Sequence, residues 1–203
     1  MNELNKSRDE FIEKIHAAGG VITTAQLNSN GINKYAISEM TKNGVLDRVM
    51  RGVYQLPEVG DGREQFVLAC KIVASGIVCL LSALDYHGLT TFNPREIALA
   101  IPRSAWAPKL PDYPPLKLVY FAESSYSLGV TTITHNCGAF RVYDSEKTIC
   151  DVFRYRKKLG QDIALEALRE YLRRKDRDIE KILDYARVLR IERAIRPVME
   201  AIL

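Results

Sequence analysis

Two short helical patterns separated by a turn, and followed directly by a two-strand pattern, constrain the fold of this chain more than any other feature. The turn is the segment NSNG at residues 28–31, whose final glycine can adopt a left-handed conformation at little steric cost. Over residues 33–43, Ala36, Ile37 and Met40 share one face of a helix that a glycine ends. This order predicts a helix-turn-helix.

A longer helical pattern and a short extended pair precede the turn. Apolar residues recur at three- and four-residue spacing over residues 5–18, which predicts an amphipathic helix closed by two glycines. Val21 and Ile22 form the extended pair, and either Thr23 or Thr24 can cap the brief second helix.

The segment GVLDRVMRGVYQLP that follows contains two strand-like runs meeting at a glycine turn. Together with the helices it predicts a winged helix-turn-helix domain over residues 1–57. In such a domain the helix after the turn enters the major groove, which is about 12 Å wide, and arginines of the wing contact phosphates or the minor groove. The DNA-contacting residues that we predict are Lys34, Tyr35, Ser38, Thr41, Lys42, Arg48 and Arg51.

The charge of this segment is only weakly basic. Glu39 and Asp47 dilute the patch, so residues 33–55 carry a net charge of +2. Winged helices also serve as protein-interaction modules, and charged helix faces are often simply solvated. The spacing favours DNA binding, and an interaction module is the alternative.

The segment PEVGDG at residues 57–62 predicts a boundary, with a second domain over residues 58–203. Two helical patterns, at residues 63–75 and 80–87, precede four strand-like runs, EIALAIP, LKLVYFA, VTTITH and AFRVYD. From Ser145, the expected cap of the next helix, the pattern is helical to the end of the chain. The predicted fold class is α+β, an N-terminal winged helix-turn-helix followed by a mixed α/β domain ending in a helical bundle.

The basic excess lies at the C-terminal end. Net charge is +1 over residues 1–57, −1 over residues 58–140 and +4 over residues 141–203. A solvated, salt-bridged face is the default interpretation, because acids stand at pairing distances along the same helices. The alternative is a nucleic-acid-binding surface formed by Arg169, Arg173, Arg174, Lys175, Arg187 and Arg190.

Composition argues against several classes of protein. No apolar run approaches the roughly 20 residues that span a bilayer, and the charged start lacks the apolar core of a signal peptide, so we expect a cytoplasmic protein. The four cysteines have no metal-ligand spacing, and His135 with Cys137 makes too small a ligand set for zinc. We expect buried reduced thiols, no metal and no cofactor.

Catalytic motifs are weak. Ser82 and Asp85 lack the glycine turn and the second acid of a nucleotidyltransferase. Asp112, Lys117 and Glu123 could belong to a nuclease, but their spacing is loose and such residues are common in a charged chain. We therefore expect no enzymatic activity.

Several segments in a fixed order carry a resemblance to a known family. After the N-terminal helices come GVLDRVMRGVYQLP, LLSALDYHGL, IALAIP, VYDSEKTICDVFRYRKKLG and ALEALREYL. In this order they resemble the AbiEi family of antitoxins of type IV toxin-antitoxin systems, over nearly the whole chain.

The resemblance implies a winged helix-turn-helix that represses the antitoxin-toxin operon by binding inverted repeats in its promoter. It also implies a C-terminal domain that contributes to repression and carries the antitoxin activity. The toxin would be nucleotidyltransferase-like and counteracted without a stable complex, in phage defence by abortive infection. The groove face of Lys34, Ser38 and Lys42 and the wing arginines Arg48 and Arg51 match the DNA-contacting positions of the motif. The alternative function is a winged-helix regulator whose C-terminal α/β domain senses a small ligand.

Overall fold

The structure, a computed structural model, describes residues 12, 13, 15, 20–57, 63–135 and 138–202. The chain divides into two compact units. Unit 1 comprises residues 1–74, 108–114 and 132–140, and unit 2 comprises residues 75–107, 115–131 and 141–203. The predicted boundary after residue 57 lies next to residues outside the described ranges and stays a prediction.

The N-terminal part of unit 1 has the element order of a winged helix-turn-helix. Ile12, Glu13 and Ile15 are helical, and the rest of the helix predicted at residues 5–18 lies outside the described residues. The elements that follow are β1 (Val21–Thr23), α1 (Thr24–Ser29), α2 (Lys34–Lys42), β2 (Asp47–Met50), β3 (Val53–Gln55) and α3 (Glu64–Ile72). The three strands form an antiparallel sheet in the order β1-β3-β2.

The core of this domain consists of aliphatic side chains, each worth about 1.5–3 kcal/mol when fully buried. The buried residues of its main cluster are Ile15, Ile22, Leu27, Ile32, Ile37, Leu46 and Leu56. A second small cluster joins Leu68 of α3 to Val21 and Val53 of the sheet. The helix-turn-helix is therefore held on its sheet by packing from every element.

The rest of the chain forms a five-stranded mixed sheet and a series of helices. The elements are β4 (Ile77–Val78), α4 (Leu80–Tyr86), β5 (Ile97–Pro102), β6 (Leu116–Phe121), α5 (Glu123–Tyr126), β7 (Val130–His135), β8 (Gly138–Tyr143), α6 (Ser145–Leu159), α7 (Gln161–Leu172), α8 (Ile179–Val188) and α9 (Glu192–Ile202). The strand order is β6-β5-β4-β8-β7. Strand β5 is parallel to β6 and antiparallel to β4, while β4 is parallel to β8. The α+β fold class is confirmed.

Three local details differ from the sequence-based expectation. The two-residue strand β4 and the short helix α5 were not predicted, since neither is long enough to show a period. The cap of α6 is Asp144 and not Ser145, because the Asp144 carboxylate accepts the Lys147 backbone N–H at 2.8 Å.

Two further expectations concern cysteines and membranes. Cys79 and Cys150 are free, buried thiols, and Cys70 is half-buried, whereas Cys137 lies outside the described residues. Burial raises the pKa of both buried thiols, which keeps them protonated. Among the helices of the described ranges, none is long and apolar enough to cross a membrane.

Candidate nucleic-acid interface

The turn between α1 and α2 is fixed by backbone hydrogen bonds. Gly31 has a φ of 81° and donates to the Asn28 carbonyl at 3.0 Å, and Ile32 donates to the Leu27 carbonyl at 3.0 Å. This pair of bonds is a Schellman motif, in which glycine takes the left-handed position without strain. The predicted role of the glycine is confirmed, and the motif sets the direction in which α2 leaves the turn.

Side-chain caps define the first turns of both helices. At α1, Thr23 and Gln26 form a capping box, with the Thr23 hydroxyl accepting the Gln26 N–H and the Gln26 amide oxygen accepting the Thr23 N–H. At α2, the Asn33 side chain accepts the Ala36 N–H at 2.9 Å. Both helices therefore have ordered N-terminal ends.

One face of α2 is open to solvent. Lys34, Ser38 and Lys42 are exposed at four-residue spacing, which aligns them along the helix. Tyr35 beside them is 76% exposed, an unusual position for a large aromatic side chain. On the opposite face Ile37 is buried in the core. Helical spacing predicted the exposure of Lys34, Ser38 and Lys42 and the burial of Ile37, whereas Thr41 is half-buried.

Two residues of this face have partners within the helix. The Thr41 hydroxyl donates to the Ile37 carbonyl at 2.8 Å, so its proton is engaged and its oxygen is left to accept. The Lys42 ammonium lies 3.6 Å from the Glu39 carboxylate. Lys34 and Ser38 have no such partner among the residues that the structure describes.

The hairpin is short and tightly turned. Met50 pairs with Val53, so Arg51 and Gly52 form a two-residue loop, and Gly52 has a φ of 87°. Arg48 is exposed and pairs across the hairpin with Tyr54.

The turn also contacts helix α1. The Gly52 carbonyl accepts the Thr24 N–H at 2.9 Å, and a Cβ at Gly52 would meet the Thr24 hydroxyl at 3.5 Å. Glycine at this position therefore joins the hairpin to the start of α1, while Arg51 beside it stays exposed.

The six basic residues predicted on the C-terminal helices fall into two groups. Three of them have partners. Arg173 forms an ion pair with Glu170 at 2.6 Å, and Arg187 forms one with Asp184. Arg174 is half-buried and donates to the carbonyl of His87 at the end of α4. The others are exposed and have no ion-pair partner in the described ranges: Arg169, Lys175 and Arg190.

Two of the catalytic candidates, Ser82 and Lys117, take part in local structure. The Ser82 hydroxyl accepts the Ala98 N–H at 2.9 Å and donates to the Glu96 carbonyl at 3.3 Å. Lys117 forms an ion pair with Glu96 at 2.7 Å. Asp112 falls in unit 1, whereas Lys117 and Glu123 fall in unit 2. The described residues contain no group of three or more acids, histidines and cysteines that could hold a metal ion.

A polar network at the start of α6 was not predicted from the sequence. Asp144 accepts from the Tyr185 hydroxyl at 3.0 Å and lies 3.1 Å from the Lys181 ammonium. Glu146 lies 3.0 Å from the same ammonium and accepts from the Tyr171 hydroxyl. These contacts tie α6 to α7 and α8, and the segment VYDSEKTICD would have indicated them only through its unusual density of polar residues.

One turn further along α6 lies a buried ion pair, formed by the Lys147 ammonium and the Asp151 carboxylate with both side chains fully buried. The ammonium also stands 4.2 Å from the ring centre of Tyr143 and 4.9 Å from that of Phe121. No acid other than Asp151 pairs with it in the part of the chain that the structure describes. The pair belongs to the core of unit 2 and is closed to a nucleic acid.

The element order and the exposed faces are those of a winged helix-turn-helix domain, a fold found in regulators of transcription. Residues 10–57 match the family model described as transcriptional regulator, AbiEi antitoxin. This match confirms the resemblance to the AbiEi antitoxins over those residues.

Comparison with solved structures gives a fold relative of most of the chain. The RV2827C protein from Mycobacterium tuberculosis superposes with a TM-score of 0.56 and 13% identity, covering 94% of this chain and 79% of that chain. An identity this low shows a shared fold and nothing about shared function. Comparison with curated proteins gives no match.

Proposed function

We propose that the protein is an antitoxin that also represses its own operon by sequence-specific binding to inverted repeats in the promoter. The observation that carries the proposal is the open face of α2, with Lys34 and Ser38 exposed, next to a hairpin with exposed Arg48 and Arg51. The family match over the same residues supports a regulator of transcription.

The side chains of this interface fall into three groups by their role in DNA binding. Lys34 and Ser38 read base edges in the major groove. The ammonium donates to the acceptors of guanine, and the hydroxyl can donate to or accept from a base edge. Lys42, Arg48 and Arg51 contact phosphates and supply affinity without sequence preference. Tyr35 and Thr41 complete the interface as a phosphate donor and a hydrogen-bond acceptor. Sequence-specific reading of the operator is thus assigned to residues 1–57.

Antitoxin activity is assigned to residues 58–203. The partner in function is a nucleotidyltransferase-like toxin of a type IV system, counteracted in the cytoplasm without a stable complex and without catalysis by this chain, in phage defence by abortive infection. Of the predicted basic surface, the unpaired residues Arg169, Lys175 and Arg190 are the ones available to a phosphate-bearing target.

The first test is fluorescence anisotropy with the full chain on DNA from just upstream of its own reading frame and on a scrambled duplex. We expect Arg48→Ala and Arg51→Ala to weaken binding to both duplexes by roughly tenfold, as expected for lost charge-assisted phosphate contacts. Lys34→Ala and Ser38→Ala weaken binding mainly to the promoter duplex. Lys157→Ala, which removes an exposed charge of α6, is the matched control and leaves both affinities unchanged.

Equal binding of the wild-type protein to both duplexes would refute sequence-specific repression. Wild-type affinity in Arg48→Ala and Lys34→Ala would refute the interface and point to a protein-interaction module. A toxin co-expression assay separates the two activities. Arg48→Ala should still restore growth while losing repression, and loss of both would contradict the division of roles.

A second candidate function is a regulator that senses a small ligand. The observation that favours it is an open cavity of about 250 Å³ in unit 2, lined by residues of α4, β5, β6, α6 and the segment between α4 and β5.

A further inference from the structure

The walls of the unit 2 cavity are apolar. Leu80 and Leu81 of α4, Leu159 of α6 and Ala98 of β5 form its inner surface, and Phe92 lies beside them with 44% of its surface exposed. A cavity of about 250 Å³ lies just below the usual range of small-molecule sites, so it suits a single ring or a short chain. An apolar lining offers few partners to water, which favours an apolar occupant.

The charged residues that line the cavity are the exposed ones, which places them at its opening. Lys117 and Glu96 lie there as an ion pair at 2.7 Å and largely neutralise each other. Arg95 is also exposed and has no ion-pair partner in the described ranges. The opening therefore has one unmatched positive charge, and a guanidinium binds a carboxylate through two parallel hydrogen bonds.

The segment that presents Phe92 is fixed in place. The Glu166 carboxylate accepts the Thr91 N–H at 2.7 Å and the Thr91 hydroxyl at 3.0 Å, and the Thr90 hydroxyl accepts the Phe92 N–H at 3.1 Å. Because the backbone of this segment is already ordered, the half-exposed ring can cover an apolar ligand without the cost of ordering a loop.

The inner wall contains a strained residue. Leu80 has a φ of 50°, a left-handed conformation that costs energy for any residue with a side chain. Hydrogen bonds on both sides of Leu80 hold this conformation. The Cys79 backbone N–H donates to the Ala98 carbonyl at 3.0 Å, and the Ser82 hydroxyl accepts the Ala98 N–H. Strain of this kind persists where the surroundings fix it, and it concentrates at ligand sites.

We propose that this cavity binds a small amphipathic monocarboxylate, with its apolar body between Leu81, Leu159 and Phe92 and its carboxylate on Arg95. The proposal rests on the geometry of the cavity alone and is independent of DNA binding and antitoxin activity.

The test is isothermal titration calorimetry of the full chain with 3-phenylpropionate and hexanoate, which represent a ring and a short chain. We expect saturable binding of at least one of them with one site per chain. Arg95→Gln weakens it roughly tenfold, as expected for the loss of one charge-assisted contact. Phe92→Ala weakens it severalfold, and Arg103→Gln, an exposed arginine of the same unit that does not line the cavity, leaves it unchanged.

Two related molecules test the two halves of the ligand. Propionate lacks the apolar body and 3-phenylpropanamide lacks the charge, so both bind more weakly, and amide binding does not respond to Arg95→Gln. Absence of saturable binding by both carboxylates would overturn the proposal. Equal effects of Arg95→Gln and Arg103→Gln, or propionate binding as tightly as 3-phenylpropionate, would overturn it as well.

Discussion

On the exposed face of α2, the Glu39 carboxylate lies 3.6 Å from the ammonium of Lys42, so a residue proposed to contact DNA is paired with an acid one turn earlier. The pair is exposed to solvent, and DNA phosphates compete with Glu39 for the same ammonium.

Replacing Glu39 by Gln should therefore tighten DNA binding. The substitution removes one negative charge from the interface and frees Lys42, so we expect roughly threefold higher affinity for both promoter and scrambled duplexes, with a steeper salt dependence. Anisotropy titrations at several salt concentrations measure both quantities. Lys42→Gln is the converse variant and weakens binding, and an unchanged affinity in both variants would remove Lys42 from the interface.

A second prediction concerns the end of α8, which is a Schellman motif without glycine. Ile191 donates to the Ala186 carbonyl at 2.8 Å, Arg190 donates to the Arg187 carbonyl at 3.1 Å, and Arg190 has a φ of 57°. Arg190→Gly should raise the free energy of unfolding by about 1 kcal/mol, because glycine tolerates this conformation. Urea denaturation measures the change.

Arg190→Ala is the matched control, since it removes the same side chain and keeps the strained Cβ. It should give no comparable gain in stability. A gain of equal size in both variants would attribute the effect to lost charge repulsion and not to the backbone.

A third prediction concerns the buried ion pair. Lys147→Met leaves the Asp151 carboxylate in the core without its cation, and we expect a loss of roughly 3–5 kcal/mol in the free energy of unfolding. The double variant Lys147→Met with Asp151→Leu should recover part of that loss, because it leaves no buried charge. A double variant as unstable as the single one would show that packing, and not charge, sets the cost.

The stability of the single variant Lys147→Met should depend on pH. Burial raises the pKa of Asp151, and the nearby Lys147 opposes that rise. Without Lys147 the folded state takes up a proton more readily than the unfolded chain, so the stability of Lys147→Met should increase as the pH falls from 8 towards 5. Thermal unfolding across this range tests the sign, and a decrease would contradict it.

A fourth prediction concerns Glu146. Burial opposes its ionisation, but hydrogen bonds from Tyr171 and Lys181 hold its pKa below the ordinary value of 4.5. The stability from this ionised carboxylate is present above pH 4.5 and is lost as the pH falls through the lower folded pKa. Glu146→Gln should lower stability at neutral pH and flatten the decline below pH 4.5, as measured by urea denaturation at several pH values. An unchanged acid decline would assign it to other carboxylates.

Local sequence signals predicted much of the fold and the exposed face of the candidate site. Gly31, Gly44 and Gly88 each take the left-handed position after a helix, where the sequence placed its helix ends. The alternation of buried Ile37 with exposed Lys34 and Ser38 also followed from helical spacing alone. Such features depend on neighbours within a few residues, which is the range that periodicity and capping describe.

Contacts between residues that are distant in the chain were not predicted from the sequence. The strand at Ile77 and Val78 has too few residues to show a period, and it exists because β5 and β8 supply its hydrogen bonds. Asp144 is the cap instead of Ser145, with its carboxylate also bonded to Lys181 and Tyr185 of α8. Neither outcome follows from local propensity.

The sequence by itself determined the order of helices and strands, the helix-ending glycines and the similarity of residues 10–57 to a family of transcriptional regulators. The tertiary structure decided which charges are available. The guanidinium of Arg174 donates to the His87 carbonyl, and the ammonium of Lys147 is buried in an ion pair with Asp151. Arg95 has no ion-pair partner among the described residues and lies beside an apolar cavity. The reason is physical, since the side-chain type is local but its partner and its exposure to water depend on elements that are distant in the chain.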